Sequence, residues 1–131
     1  MIGFRIFHLA APPLAWAALI FFLSGQPAPE PIAAAGISDK MLHACAYAVL
    51  AALVLRWLTA NRQTPIWYAL TVTVLVSGLY GVFDEVHQAF VVSRFPEVAD
   101  AWADLAGAVV GAGILGALIA YHRAGHGKQQ V

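Results

Sequence analysis

The sequence predicts an all-α membrane protein, a four-helix transmembrane bundle with both termini cytoplasmic. Three observations carry that expectation. Hydrophobic residues make up 61% of the 131 and charged residues only 11%, with a mean hydropathy of +0.75. A water-soluble domain of this length exposes too much surface to hide so much apolar area. The apolar residues fall into four segments, near 4–23, 41–58, 66–88 and 101–121, each close to the roughly 20 residues a helix needs to cross a bilayer. No strand-like alternation competes, and lipid admits only helices or closed barrels. One membrane domain therefore covers 1–131.

The first segment has the outline of a signal peptide, because Arg5 precedes an apolar run. The run is long, however, Pro12-Pro13 lies near its start, and no small-x-small cleavage site follows Ser24-Gly25-Gln26. A retained span is expected. Pro12-Pro13 removes backbone donors and is expected to kink or delay the helix. The connection over 25–38 holds Pro27, Pro29 and Pro31 and reads as an extended loop. Ser38 is then placed to cap the second helix. The connection over 59–64 is short and polar, with Pro65 placed to start the third helix. The tail 125–131 is polar and is expected to fray.

Charge sets the expected orientation. Arg5, Arg56, Arg62, Arg123 and Lys128 fall on one side of the membrane with no acid. Lys40 and Arg94 fall on the other with all seven acids: Glu30, Asp39, Asp84, Glu85, Glu97, Asp100 and Asp104. Five bases against two follow the positive-inside rule, so the acidic side is expected to face outward. Trp16, Trp57, Trp67 and Trp102 read as interfacial anchors. Cys45, the single cysteine, reads as a small buried residue. His8, His122 and His126 read as solvent or head-group contacts on the basic side.

Three helix ends meet on the acidic side. Asp39, His43 and Tyr47 are separated by four and four, which puts them on one stripe of the second helix. The third helix ends in DEVHQ, with Asp84, Glu85 and Gln88 grouped and His87 off the Glu85 face. On the fourth, Asp100, Asp104, Gly107 and Gly111 form a stripe that starts acidic and continues as glycine, admitting a close helix neighbour. Asp39, Asp100 and Asp104 lie near helix N-termini, where a negative charge is stabilised; Asp84 and Glu85 lie near a C-terminal end, where it is not. Lys40 and Arg94 are therefore expected to pair with Asp84 and Glu85 across the bundle.

These positions carry a resemblance. D-K-x-x-H-x-x-x-Y at Asp39, Lys40, His43 and Tyr47 is similar to the VanZ-like family of bacterial membrane proteins. So are D-E-x-x-Q-x-F at Asp84, Glu85, Gln88 and Phe90, the following Arg94, and Asp100, Asp104 and Gly107. Phe21 and Ser24 add the F-x-x-S ending of the first helix. Two positions depart from the family pattern: Val92-Ser93 stand where Pro-Gly is usual, and Asp104 stands where Asn is common. The resemblance implies a multi-pass protein of the bacterial inner membrane and a link to resistance to the glycopeptide teicoplanin.

Ionisable residues at membrane depth are functional hypotheses by default. The expected site is an outward-facing polar pocket that engages an envelope lipid or cell-wall component. Lys40, Arg94, Gln88 and Tyr47 would contact the ligand, the two cations holding an anionic head group. His43 and Glu85 are the candidate catalytic pair, His43 being oriented by Asp39 one turn earlier. Asp39, Asp84, Asp100 and Asp104 form a supporting network. No nucleophile is placed for a Ser-His-Asp arrangement. His43 with Glu85, Asp84 or Asp104 could ligate a metal, but no HExxH-type spacing supports one, so neither metal nor cofactor is expected. Two other readings stay open: a non-enzymatic envelope interaction or scaffold module, and a small membrane hydrolase or transferase. Proton-coupled transport is disfavoured, because four spans show no inverted repeat. No nucleic-acid partner is expected, and the oligomeric state is left open.

Overall fold

The computed structural model describes residues 2–26, 38–92 and 94–127, with side chains over 8–26, 38–92 and 94–125. The Pro27–Pro31 stretch with Glu30, Ser93, Lys128 and the side chains of Arg5 and His126 lie outside the described residues. Among the described residues four helices follow in order: α1 (Ile2–Ser24), α2 (Asp39–Leu58), α3 (Ile66–Gln88) and α4 (Val98–Gly127). Among the described residues every regular element is helical. α2, α3 and Val98–Gly125 of α4 are long and apolar enough to cross a membrane, while the apolar stretch His8–Ser24 of α1 is shorter.

The ends follow local chemistry. Ser38 caps α2 as expected, its side chain accepting from the Met41 backbone N–H at 3.2 Å. Pro65 takes the N-cap of α3. Two expectations are corrected. Pro12 and Pro13 lie inside a helix that is assigned without interruption from Ile2, so the missing donors cost intrahelical bonds without delaying the helix. α4 starts at Val98 and reaches Gly127, taking up residues expected to belong to the tail.

The inward face of α3 is small and polar, and its outside is large and apolar. Ala69, Thr73, Ser77, Gly81, Asp84, Glu85 and Gln88 make the buried stripe of α3. Its other faces expose Leu75, Leu79, Val82, Phe83 and Val86. Helices in lipid gain little from burying Leu against Leu; they gain from close approach of small residues. α2 and α4 form the most extensive pairing, with α4 against α3 next. Ala51 packs there against Ala108 and Ala112. A methyl group added at Gly107 would overlap the Ala44 carbonyl oxygen, and one at Gly111 the Ala48 carbonyl oxygen. These two glycines serve packing within the chain.

α1 lies against α2 through Ile20, Tyr47, Leu50 and Val54. Two polar pins fix it: Trp16 Nε1–H donates to the Ala46 carbonyl at 2.9 Å, and the Tyr80 hydroxyl donates to the Ala17 carbonyl at 2.7 Å. Trp16 is thus an interhelical pin, whereas Trp57, Trp67 and Trp102 stay exposed at helix ends. Cys45 is exposed, not buried as expected, because the stripe containing Tyr47, Leu50 and Val54 faces inward and Cys45 lies off it. Arg123 closes the basic end by donating to the Thr64 and Thr59 carbonyls at 2.9 and 3.3 Å.

The glycine contacts set a clear expectation. Gly107→Ala or Gly111→Ala should lower stability in detergent by about 1–3 kcal/mol or more, because backbone has to move away from backbone. Gly113→Ala, where nothing lies within 4 Å, should be neutral. Thermal unfolding of the three variants side by side reads the difference.

Candidate functional site

Close packing of α4 on α2 delivers the acids of α4 to the first turns of α2. Asp104 precedes Gly107 by three residues and is completely buried. Gly81 of α3 lies directly against it: a methyl there would sit 2.9 Å from the Asp104 side chain. His43 meets Asp104 from α2, with Nδ1 2.9 Å from Oδ1. That distance fits an imidazole N–H donating to the carboxylate. Asp104, rather than the expected Asp39, therefore orients His43. One turn of α2 is what separates Asp39 from His43, and it leaves Asp39 on the exposed rim while His43 turns inward.

The two α3 acids are answered by neutral donors. Ser24 at the end of α1 donates its hydroxyl to Asp84 Oδ1 at 2.6 Å, and Gln88 donates Nε2–H to Oδ2 at 3.3 Å. Glu85 Oε2 accepts the Glu97 backbone N–H at 3.0 Å, which ties the end of α3 to the approach to α4. Glu85 Oε1, Asp104 Oδ2 and the Tyr47 hydroxyl are buried and have no hydrogen-bond partner among the described residues.

The cations sit elsewhere than expected. Lys40 Nζ lies 2.8 Å from Glu97 and 3.3 Å from Asp100. Arg94 donates Nε–H to the Gln26 carbonyl at 2.9 Å and faces Asp39 at 3.6 Å. The expected pairing of these cations with Asp84 and Glu85 is thus not made. A hydroxyl, an amide and a backbone N–H reach the α3 acids instead. His87 also departs from an exposed interfacial role: it is half-buried, stacked on Phe21 with ring centroids 3.9 Å apart.

A cleft of about 420 Å³ opens between α1 and α2 beside this network. Its walls are mostly apolar, including Leu19, Leu23, Leu42 and Val49. Ser24, Asp39, His43, Asp84 and Arg94 form its polar end, and Tyr47 lines it as well. Lys40, Glu85, Gln88, Asp100 and Asp104 are absent from its lining. The expected site residues therefore converge at one end of the bundle but divide into an exposed rim, a cleft and a buried cluster. Ser24 and Glu97 belong to the network without having been assigned a part in it. The F-x-x-S ending is the one sequence signal that points to Ser24, and the Glu97 backbone contact has none.

A protein-family model described as VanZ/LLP1 matches residues 9–120. The chain belongs to the VanZ/LLP1 family. No curated protein and no solved structure matches it. The matched span of this VanZ/LLP1 protein runs from α1 well into α4 and includes every residue of the network. Chemically, the His43–Asp104 pair supplies an imidazole held in one orientation, suited to proton transfer or ligation. Ser24 is hydrogen-bonded to Asp84 rather than to His43, so it is not activated as a nucleophile by that imidazole.

Two outcomes follow for the network. Ser24→Ala leaves a buried carboxylate oxygen without its donor and should cost about 1–3 kcal/mol in detergent-unfolding experiments. At the rim, the hydrogen bond from Lys40 and its charge hold the Glu97 carboxyl below its ordinary 4.5. Since the folded value is the lower one, the pair's stabilisation is present above about pH 4.5 and lost as pH falls through the folded value. Lys40→Met should move the Glu97 carbon-13 titration back up toward 4.5. The stability change should be small and should vanish in high salt, because both partners are exposed.

Proposed function

We propose that this VanZ/LLP1 protein holds an envelope lipid or a lipid-linked cell-wall component in the cleft between α1 and α2. The observation that carries the reading is the amphipathic form of that cleft: apolar walls along the bundle, and a polar end made of Ser24, Asp39, His43, Asp84 and Arg94. An acyl or isoprenoid chain suits the walls, and a phosphorylated or hydroxyl-rich head group suits the polar end. Arg94 is the cation available there. Its Asp39 neighbour is 3.6 Å away and 47% exposed, a loose pair that a phosphate can displace. Tyr47 would bond the head group from the cleft wall, Lys40 would attract anions from the rim, and Gln88 would act by holding Asp84.

The charge distribution supports an extracytoplasmic position for the polar end, with both termini cytoplasmic in a bacterial cell membrane. Arg56, Arg62 and Arg123 gather at the opposite end, around a second cleft of about 430 Å³. Engagement of an envelope component at that surface accords with the teicoplanin link that the family resemblance implies. A second reading, a membrane hydrolase or transferase, is favoured by the His43–Asp104 contact, which prepares His43 as a general base with Glu85 nearby as acid.

Native mass spectrometry of the protein released from bacterial-lipid nanodiscs tests the binding reading. A defined lipid should remain on the wild type, and be lost when Cys45→Trp, at a residue lining the cleft, fills it or Arg94→Gln removes its cation. Equal retention by all three proteins would sink the proposal. His43→Gln separates the two readings: a binding module keeps its lipid and phenotype, whereas an enzyme keeps the lipid and loses turnover.

A further inference from the structure

We propose that His43, Glu85 and Asp104 form a binding site for one divalent first-row metal ion at the junction of α2, α3 and α4. A ring nitrogen of His43 and one carboxylate oxygen from each acid lie within 4.8 Å of one another. Metal–ligand bonds of about 2.0–2.2 Å reach across about 4 Å, so a slight inward rotation of the side chains suffices. The 2.9 Å between His43 Nδ1 and Asp104 Oδ1 suits two neighbouring ligands on one ion as well as it suits a hydrogen bond. Each ligand comes from a different helix, which is why no short spacing motif announces the site.

A second observation points independently to a ligand. Among the described residues Glu85 Oε1 and Asp104 Oδ2 have no hydrogen-bond partner, although Glu85 is 8% exposed and Asp104 wholly buried. Buried carboxylate oxygens in native proteins are almost always partnered, because an uncompensated charge there costs several kcal/mol. Neither Lys40 nor Arg94 supplies the missing charge, since both are engaged at the rim. Asp84 is excluded from the site because both of its oxygens accept hydrogen bonds.

A competing cluster shares His43: Asp39, His43 and Asp100 also lie within reach of one another. There, Arg94 lies 3.6 Å from Asp39, and Lys40 lies 3.3 Å from Asp100 Oδ1, an oxygen with no hydrogen bond of its own among the described residues. Among the described residues no lysine or arginine pairs with Glu85 or Asp104, and the one basic group of the deeper cluster is His43 itself. One nitrogen and two carboxylate oxygens suit Zn²⁺ or Mn²⁺ better than soft Cu⁺. The Tyr47 hydroxyl is also buried without a hydrogen-bond partner among the described residues. The site stands whether or not the neighbouring cleft holds a lipid.

The test uses the full chain, free of any affinity tag, in nanodiscs stripped with EDTA. Titration with Zn²⁺, desalting and elemental analysis should give one tightly held equivalent per chain, and Co²⁺ should show d–d absorption. Glu85→Gln, which keeps the shape and removes the charge, should weaken uptake at least about tenfold. Asp39→Asn should leave uptake unchanged. His43→Ala should abolish it; if that variant does not fold, Glu85→Gln decides. No saturable uptake by the wild type, or undiminished uptake by Glu85→Gln, overturns the site. Loss of uptake in Asp39→Asn with retention in Glu85→Gln likewise overturns it, placing the ion on the rim.

Discussion

Everything at the polar end depends on how closely α4 can approach α2. Gly107 and Gly111 let the backbone of one helix lie on the carbonyls Ala44 and Ala48 of the other. At that separation Asp104 is carried to His43, and α3 is admitted against Asp104 at Gly81. In lipid the apolar side chains gain nothing by leaving one hydrocarbon surface for another, so small-residue contact and polar bonds must supply the specificity. A bulkier residue in the glycine stripe would displace the carboxylate from the imidazole even though it touches neither.

That approach creates an electrostatic problem which the protein resolves in layers. The exposed acids Asp39 and Glu97 meet Arg94 and Lys40, where water lowers both the cost and the gain of pairing, and Lys40 also reaches the buried Asp100. Asp84 meets a hydroxyl and an amide, and half of Glu85 meets a backbone N–H. The other half of Glu85 and one oxygen of Asp104 are left over. A buried polar network is stable only when every member is satisfied, so the remaining oxygens are the natural place for a bound species. The amphipathic cleft on the other flank of His43 offers room for a second one. His43 touches both environments, and for that reason it is the residue through which lipid binding, ion binding and proton transfer would be felt together.

Much of this was legible in the residue order. Four apolar segments, the Ser38 cap, Pro65 before α3 and the glycine stripe of α4 all answered local rules of length, capping and packing. The convergence of Asp39, His43, Tyr47, Asp84, Glu85, Gln88, Asp100 and Asp104 on one end followed from their positions near the ends of antiparallel helices. The partners did not follow. Helix-dipole reasoning identified Asp84 and Glu85 as charges in need of help, and assigned them the only fixed cations nearby. Hydrogen-bond donors from Ser24, Gln88 and Glu97 could serve instead because depth, unlike sequence position, decides which donor reaches.

The sequence by itself determined the membrane class, the number and order of helices, the family, and the segregation of acids to one end. Those properties depend on composition, on runs of about 20 residues and on periodicities of three and four. Tertiary structure alone decided that Asp104 and not Asp39 holds His43, that Lys40 and Arg94 pair with Glu97, Asp100 and Asp39 rather than with the α3 acids, and that Cys45 is exposed in the cleft. It alone left carboxylate oxygens of Glu85, Asp100 and Asp104 without a hydrogen bond among the described residues. These outcomes turn on the rotation and separation of neighbouring helices, where a turn of about 5.4 Å moves a side chain from solvent to core.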